Sequence, residues 1–93
     1  MEREQAVRAS ITGRVQGVGF RAWTQAEARR LELSGWVRNE RDGSVTALLV
    51  GRQDAVRAML QRLHEGPPAA RVAGVRVEDA EPGERPSGFL VKG

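Results

Sequence analysis

Between the apolar segments Trp36-Val37 and Val45 to Val50 lies Arg41-Asp42-Gly43, and this turn constrains the fold more than any other stretch of the chain. An Asp-Gly pair between apolar runs closes a hairpin, because glycine accepts the positive φ such a turn requires and aspartate bonds to nearby backbone. It joins two strands directly, with no room for a helix. On its N-terminal side, Val7, Ala9 and Ile11 alternate with Arg8, Ser10 and Thr12, a period of two that marks a first strand with one buried face. A glycine-rich loop, Gly13 to Gly19, follows. Phe20, Thr24, Ala28 and Leu31 then recur at helical spacing, flanked by Trp23, and predict helix one. Gly35 to Asn39 reads as strand two and Gly43 to Val50 as strand three, the latter apolar on both faces. Beyond it, Val56, Met59, Leu60 and Leu63 predict helix two, with Asp54 near its start and Gly66-Pro67-Pro68 at its end. Val75 and Val77 suggest a fourth strand, Glu78 to Pro86 a polar loop, and Phe89 and Val91 a short final strand.

The order strand, helix, strand, strand, helix, strand, with a terminal strand added, is that of an α+β ferredoxin-like sandwich, in which two helices cover one face of a mostly antiparallel sheet. Residues 1–93 are read as one domain, since a chain of 93 residues buries one core. A right-handed crossover through helix one makes strands one and two parallel, so their C-terminal ends share an edge. That edge receives the loop Gln16 to Arg21 from strand one and Asn39 from strand two.

Charge and cysteine content remove several function classes. The net charge is +3, and of the 15 basic residues only Lys92 is a lysine; the arginines are spread among acids instead of forming a basic stripe. No cysteine is present, which leaves no disulfide, thiolate metal site or thiol nucleophile and suits a reducing cytoplasm. The longest apolar run, Ala47 to Val50, is far short of a membrane span, and Met1 to Gln5 does not resemble a signal peptide. A cytoplasmic monomer is expected. An RNA-binding module of the same plan would need exposed aromatics on its open sheet face. Strand one offers Arg8, Ser10 and Thr12 there, and strand three Thr46, Leu48 and Val50, so nucleic acid is not expected as a partner.

The loop can hold an anion. Gly17 and Gly19 permit positive φ, which lets successive N–H groups from Gln16 to Arg21 turn inward, and the start of helix one adds its positive dipole end. Arg21 supplies a planar cation whose fork matches two phosphate oxygens. The run lacks the Gly-Lys-Ser/Thr ending of a nucleotide P-loop. Gly17, Gly19 and Ala22 satisfy a loose dinucleotide pattern, but the hairpin at Asp42-Gly43 stands where that fold needs a helical crossover. A purely structural glycine turn remains open on these residues alone, as does a turn-starting role for Asn39.

The run ITGRVQGVGFR, Ile11 to Arg21, resembles the first signature of the acylphosphatase family, and GWVRNERDGSVTALLVG, Gly35 to Gly51, resembles the second. Similarity continues to Gly88-Phe89-Leu90-Val91, nearly the whole chain. The resemblance implies a ferredoxin-like enzyme that hydrolyses acyl phosphates to a carboxylate and inorganic phosphate without a cofactor or metal. It implies that the backbone of Gln16, Gly17, Val18, Gly19, Phe20 and Arg21, with the Arg21 side chain, binds the phosphoryl group, and that Asn39 positions the attacking water. Such chemistry suits the residues. A phosphoryl transition state is stabilised mainly by positioning and by donors to its oxygens. The leaving carboxylate, with a pKa of roughly 4, departs without a general acid. Two positions depart from the family pattern: Glu40 follows Asn39 where a threonine occurs in some members, and Arg52 stands where a proline often follows the glycine. Related domains within larger proteins that handle carbamoyl phosphate suggest the alternative of a non-catalytic phosphate-binding regulatory domain, against which stand a start at Met1 and the lack of attached zinc-binding cysteines.

Other polar residues have simpler readings. His64 is expected to face solvent in the last turn of helix two, Asp42 to serve the hairpin, Trp23 and Trp36 to pack, with one of them bordering the acyl end of a substrate as the alternative, and Thr24 to cap or steady the loop. Glu78, Asp79, Glu81 and Glu84 are expected in a solvated loop.

Overall fold

The computed structural model describes residues 3–81, 83 and 85–93; Met1, Glu2, Pro82 and Glu84, the last two within the expected acidic loop, lie outside the described residues. The chain forms β1 (Glu4–Arg14), α1 (Phe20–Arg30), β2 (Ser34–Asn39), β3 (Val45–Arg52), α2 (Gln53–Glu65), β4 (Arg71–Asp79) and β5 (Phe89–Val91). The five strands make one sheet in the order β4-β1-β3-β2-β5. β3 is antiparallel to both β1 and β2, so β1 and β2 run parallel on either side of it, and β5 joins β2 in parallel at the other edge. The expected α+β sandwich is present.

Both helices cover one face. Phe20, Thr24 and Ala28 of α1 are buried there, as are Val56, Met59 and Leu63 of α2, against Val7, Ala9 and Ile11 of β1 and Val45, Ala47 and Leu49 of β3. Each fully buried Val, Leu, Ile, Phe or Met side chain contributes roughly 1.5–3 kcal/mol of transfer free energy, an upper estimate because unfolded chains bury some surface too. The apolar outer face of β3 has a partner of its own. Leu48 and Val50 form a second cluster with Ala6 and Trp36, against which Ala80 packs. Arg38 and Lys92 lie 4.7 Å from the Trp36 ring centroid and Arg8 5.9 Å, so their charges and stems cover the indole and leave it 7% exposed. Trp36 is an aromatic on the open face, which the strand one and strand three positions alone did not include, but it is roofed by cations instead of being bare for stacking.

Several boundaries differ from expectation. β1 continues through Gly13 to Arg14, shortening the loop; β3 starts at Val45 instead of Gly43 because Glu40 to Ser44 close the hairpin, and it runs past Val50 to Arg52; α2 then begins at Gln53, with Asp54 near its start as expected. Glu78 and Asp79 belong to β4, not to a loop. There they pair with Arg8 and Val7 of β1, whose length offers backbone partners to a segment that is polar on its own.

Candidate active site

The site is assembled by the way β1 ends. A register shift between Thr12 and Gly13 bends the strand against β4. Gly13 has φ 118°, and a Cβ there would stand 2.2 Å from the Arg71 carbonyl oxygen, so no other residue fits without moving β4. The chain then crosses above β3 and enters α1 beside β2.

Within that crossing the sign of φ alternates. Gly17 lies at 74° and Gly19 at 77°, while among the described residues Glu32 is the one non-glycine with positive φ, so Gln16, Val18 and Phe20 between and around them are negative. Alternating hand turns successive N–H groups toward one side, the geometry of an anion nest. A Cβ built on Gly17 or Gly19 would meet no protein atom within 4 Å, so glycine is required for its φ and not for crowding. Gly19 is the N-cap of α1 and the first turn carries no acid. The helical ladder begins with Trp23 N–H donating to the Gly19 carbonyl at 3.0 Å, so the amides of Phe20, Arg21 and Ala22 precede it and point out of the helix end.

Arg21 is half-buried in the first turn of α1. Its Nη1 donates to the Lys92 carbonyl at 3.0 Å, and Lys92 is itself held by its N–H to the Val37 carbonyl at 2.8 Å. The backbone after β5 thus aims the guanidinium, and one bond leaves most of its five donors for a ligand. β5 is in turn fastened to α1, since Gln25 Nε2 donates to the Phe89 carbonyl at 3.0 Å.

Asn39 ends β2. Strand alternation places Val37 and Asn39 on the helix side and Arg38 on the outer side, over Trp36. The hairpin makes no use of the asparagine side chain. Asp42 Oδ1 accepts from the Ser44 N–H at 2.9 Å and the Ser44 hydroxyl at 2.6 Å, closing the turn and holding the Asp42 carboxyl below its usual range. Among the described residues the Asn39 carboxamide has no protein hydrogen-bond partner. Glu40 turns the other way. Its carboxylate is held below the ordinary glutamate range by the Thr46 hydroxyl and by Arg38 Nε at 2.9 Å, both on the outer face, so this departure from the family pattern puts no negative charge into the site.

Arg21 and Asn39 line the same cleft, about 270 Å³ in volume, with Val15, Gly17, Gly19, Phe20, Ala22 and Val91. The topology therefore joins the loop, Arg21 and Asn39 at one sheet edge. Gln16 and Val18 give the cleft no side chain: Val18 packs on the core, and Gln16 Nε2 donates to the carbonyls of Glu40 at 2.8 Å and Ser44 at 2.9 Å, clamping the loop onto the hairpin that carries Asn39. The other candidates lie elsewhere. Trp23 stacks edge-on with Phe20, ring centroids 5.4 Å apart, and Trp36 lies on the opposite face. His64 is exposed at the end of α2. Thr24 caps nothing; it is fully buried and its hydroxyl has no partner among the described residues. The wall residue Val91 and the Lys92 carbonyl had no signal in the sequence, because a backbone acceptor and an edge-strand valine look alike wherever they occur.

The family model for acylphosphatase matches residues 7–91. An acylphosphatase of Rhizobium etli is 52% identical over 92 residues, covering 99% of this chain and 98% of its own length. Among solved structures, an acylphosphatase from Coxiella burnetii superposes with a TM-score of 0.91 at 36% identity, over 96% of this chain and 93% of that one. HypF of T. kodakarensis contains a similar unit, with a TM-score of 0.84 and 28% identity over 96% of this chain but 12% of its own.

Proposed function

The chain belongs to the acylphosphatase family, and we propose that its hydrolysis of acyl phosphates divides between a phosphate cradle made by residues 16–21 with Arg21 and a water site made by Asn39. The observation that carries this division is the carboxamide of Asn39, which has no hydrogen-bond partner among the described residues and lines the same cleft as Arg21 and the loop glycines. The phosphoryl group sits over the nest, where the amides of the loop and of the first turn of α1 donate to its oxygens and the Arg21 fork takes two of them. Asn39 accepts a hydrogen bond from water through Oδ1 and donates through Nδ2, holding the water for attack at phosphorus. The P–O bond to the acyl group breaks as the new P–O bond forms, charge gathers on the equatorial oxygens, and the preorganised donors stabilise it. The acyl carboxylate leaves unprotonated, and inorganic phosphate, which keeps the proton shed by the attacking water, is the second product.

Parent chain, Arg21→Ala and Asn39→Ala, compared for phosphate binding and acetyl phosphate turnover, test the division. Arg21→Ala loses both. Asn39→Ala binds phosphate as the parent does and loses turnover by roughly 10²–10³, the cost of removing one preorganised group. Equal loss of binding in the two variants contradicts the assignment. The proposal includes a single domain working as a cytoplasmic monomer; a sedimentation mass of two chains would overturn the last part.

A further inference from the structure

We propose that Val91, on the C-terminal edge strand, is the residue that touches the acyl group and sets the preference among acyl phosphates; this rests on the acylphosphatase reading of the cleft. Among the described residues lining the cleft, Arg21 and Asn39 are the polar side chains, and the proposed mechanism commits them to phosphate and water. Val15 and Phe20 expose 1% and 2% of their surface and form the floor. Gly17 and Gly19 contribute backbone alone. What remains at the mouth is the methyl of Ala22 and the side chain of Val91, which is 42% exposed.

Register explains why Val91 is there. β5 runs parallel to β2 with Val91 opposite Val37, so its side chain stands on the helix side, two residues short of the level of Asn39, while Leu90 opposite Trp36 points to the outer face. The cleft, about 270 Å³, is roomier than a phosphate group alone needs. An acyl group leaving the phosphate toward solvent passes the aliphatic side chains of Ala22 and Val91, and among the described lining residues Arg21 is the one cation, already committed to the phosphate in the proposed mechanism. Uncharged, apolar acyl groups are therefore favoured over those bearing another carboxylate.

The test measures kcat/KM for acetyl, benzoyl and succinyl phosphate, with inorganic phosphate inhibition as the control. Val91→Ala should lower the benzoyl-to-acetyl ratio by roughly threefold to tenfold, at or below the roughly tenfold minimum that a lost apolar contact costs in an enclosed pocket because the wall is half open, and leave phosphate inhibition within about twofold. Val91→Arg, which adds a cation at the mouth, should raise the succinyl-to-acetyl ratio by about tenfold. Edge exposure makes both variants easy to accommodate, and phosphate inhibition reports an intact cradle. Ratios within about twofold of the parent in both variants would overturn the role of Val91 while leaving the hydrolytic function in place. Equal loss on all substrates together with weakened phosphate inhibition would also overturn it, showing that Val91 supports Arg21 instead. Absence of hydrolysis by the parent above an Arg21→Ala control would remove both inferences together.

Discussion

Replacing Gln16 by leucine removes the clamp between the phosphate loop and the hairpin that bears Asn39, at nearly constant volume. The two hydrogen bonds lost are short, 2.8 Å to the Glu40 carbonyl and 2.9 Å to the Ser44 carbonyl. A neutral hydrogen bond contributes about 1 kcal/mol net, so the sum is about 2 kcal/mol. Neither acceptor is left wholly unsatisfied, because the Glu40 carbonyl also receives the Gly43 N–H at 3.2 Å and the Ser44 carbonyl the Glu40 N–H at 2.8 Å. The desolvation penalty is therefore small and the expected loss is about 1–2 kcal/mol. At roughly 4–8 °C per kcal/mol for a domain of this size, the midpoint of thermal unfolding falls by about 4–16 °C. Turnover falls further than phosphate affinity, because the nest keeps its own φ pattern while its placement against Asn39 loosens. Thermal denaturation followed by circular dichroism, with kcat and phosphate inhibition on the same preparation, checks both parts. A midpoint within about 2 °C of the parent, or phosphate affinity falling in step with kcat, would refute the clamp.

Lys92→Pro deletes the N–H that fixes the chain after β5 to Val37, and so shifts the carbonyl that aims Arg21; phosphate inhibition should weaken by about tenfold, in line with a hydrogen bond to a charged group, and an unchanged inhibition constant argues that Arg21 aims itself. Thr24→Val replaces a buried, unpartnered hydroxyl with a methyl of similar size; unfolding midpoints should rise, by about 1 kcal/mol in stability, and a fall would mean the hydroxyl is satisfied in solution. Glu27, held below the ordinary glutamate value first by its hydrogen bond from Arg30 and also by Arg62, Glu40 and Asp42 all have lowered pKa values. The unfolded chain thus binds more protons as acid is added, so the stability these groups contribute is present above the usual carboxylate pKa and is lost as pH falls through the folded values. The urea midpoint should decline from about pH 5 to about pH 3, with Glu27→Gln less steep; an identical slope in that variant removes Glu27 from the account.

The element order was legible because each element repeats its signal. Val7, Ala9 and Ile11 declare a period of two, and Val56, Met59 and Leu63 a helical face, over enough residues that no tertiary contact was needed to read them. β4 was read short for the opposite reason. Glu78 and Asp79 carry no strand pattern, and they extend because β1 offers them a long edge. The apolar outer face of β3 was visible in Leu48 and Val50, but its cover was not, since Arg8, Arg38 and Lys92 come from three separate segments and meet only over Trp36.

For the site, the sequence by itself determined the chemistry on offer: two glycines at alternate positions, one arginine at a helix start, one asparagine at a strand end. Those are local properties, and φ preference and guanidinium charge travel with the residue wherever it lies. The tertiary structure decided how these groups are held and turned. It gave the Asx turn to Asp42 and so left the Asn39 side chain without a partner among the described residues, swung Glu40 to the outer face, spent the Gln16 side chain on the hairpin, and brought the Lys92 carbonyl and Val91 to the cleft. Each of these is a choice between partners distant in sequence, settled by which carbonyl or side chain the folded backbone places within about 3 Å.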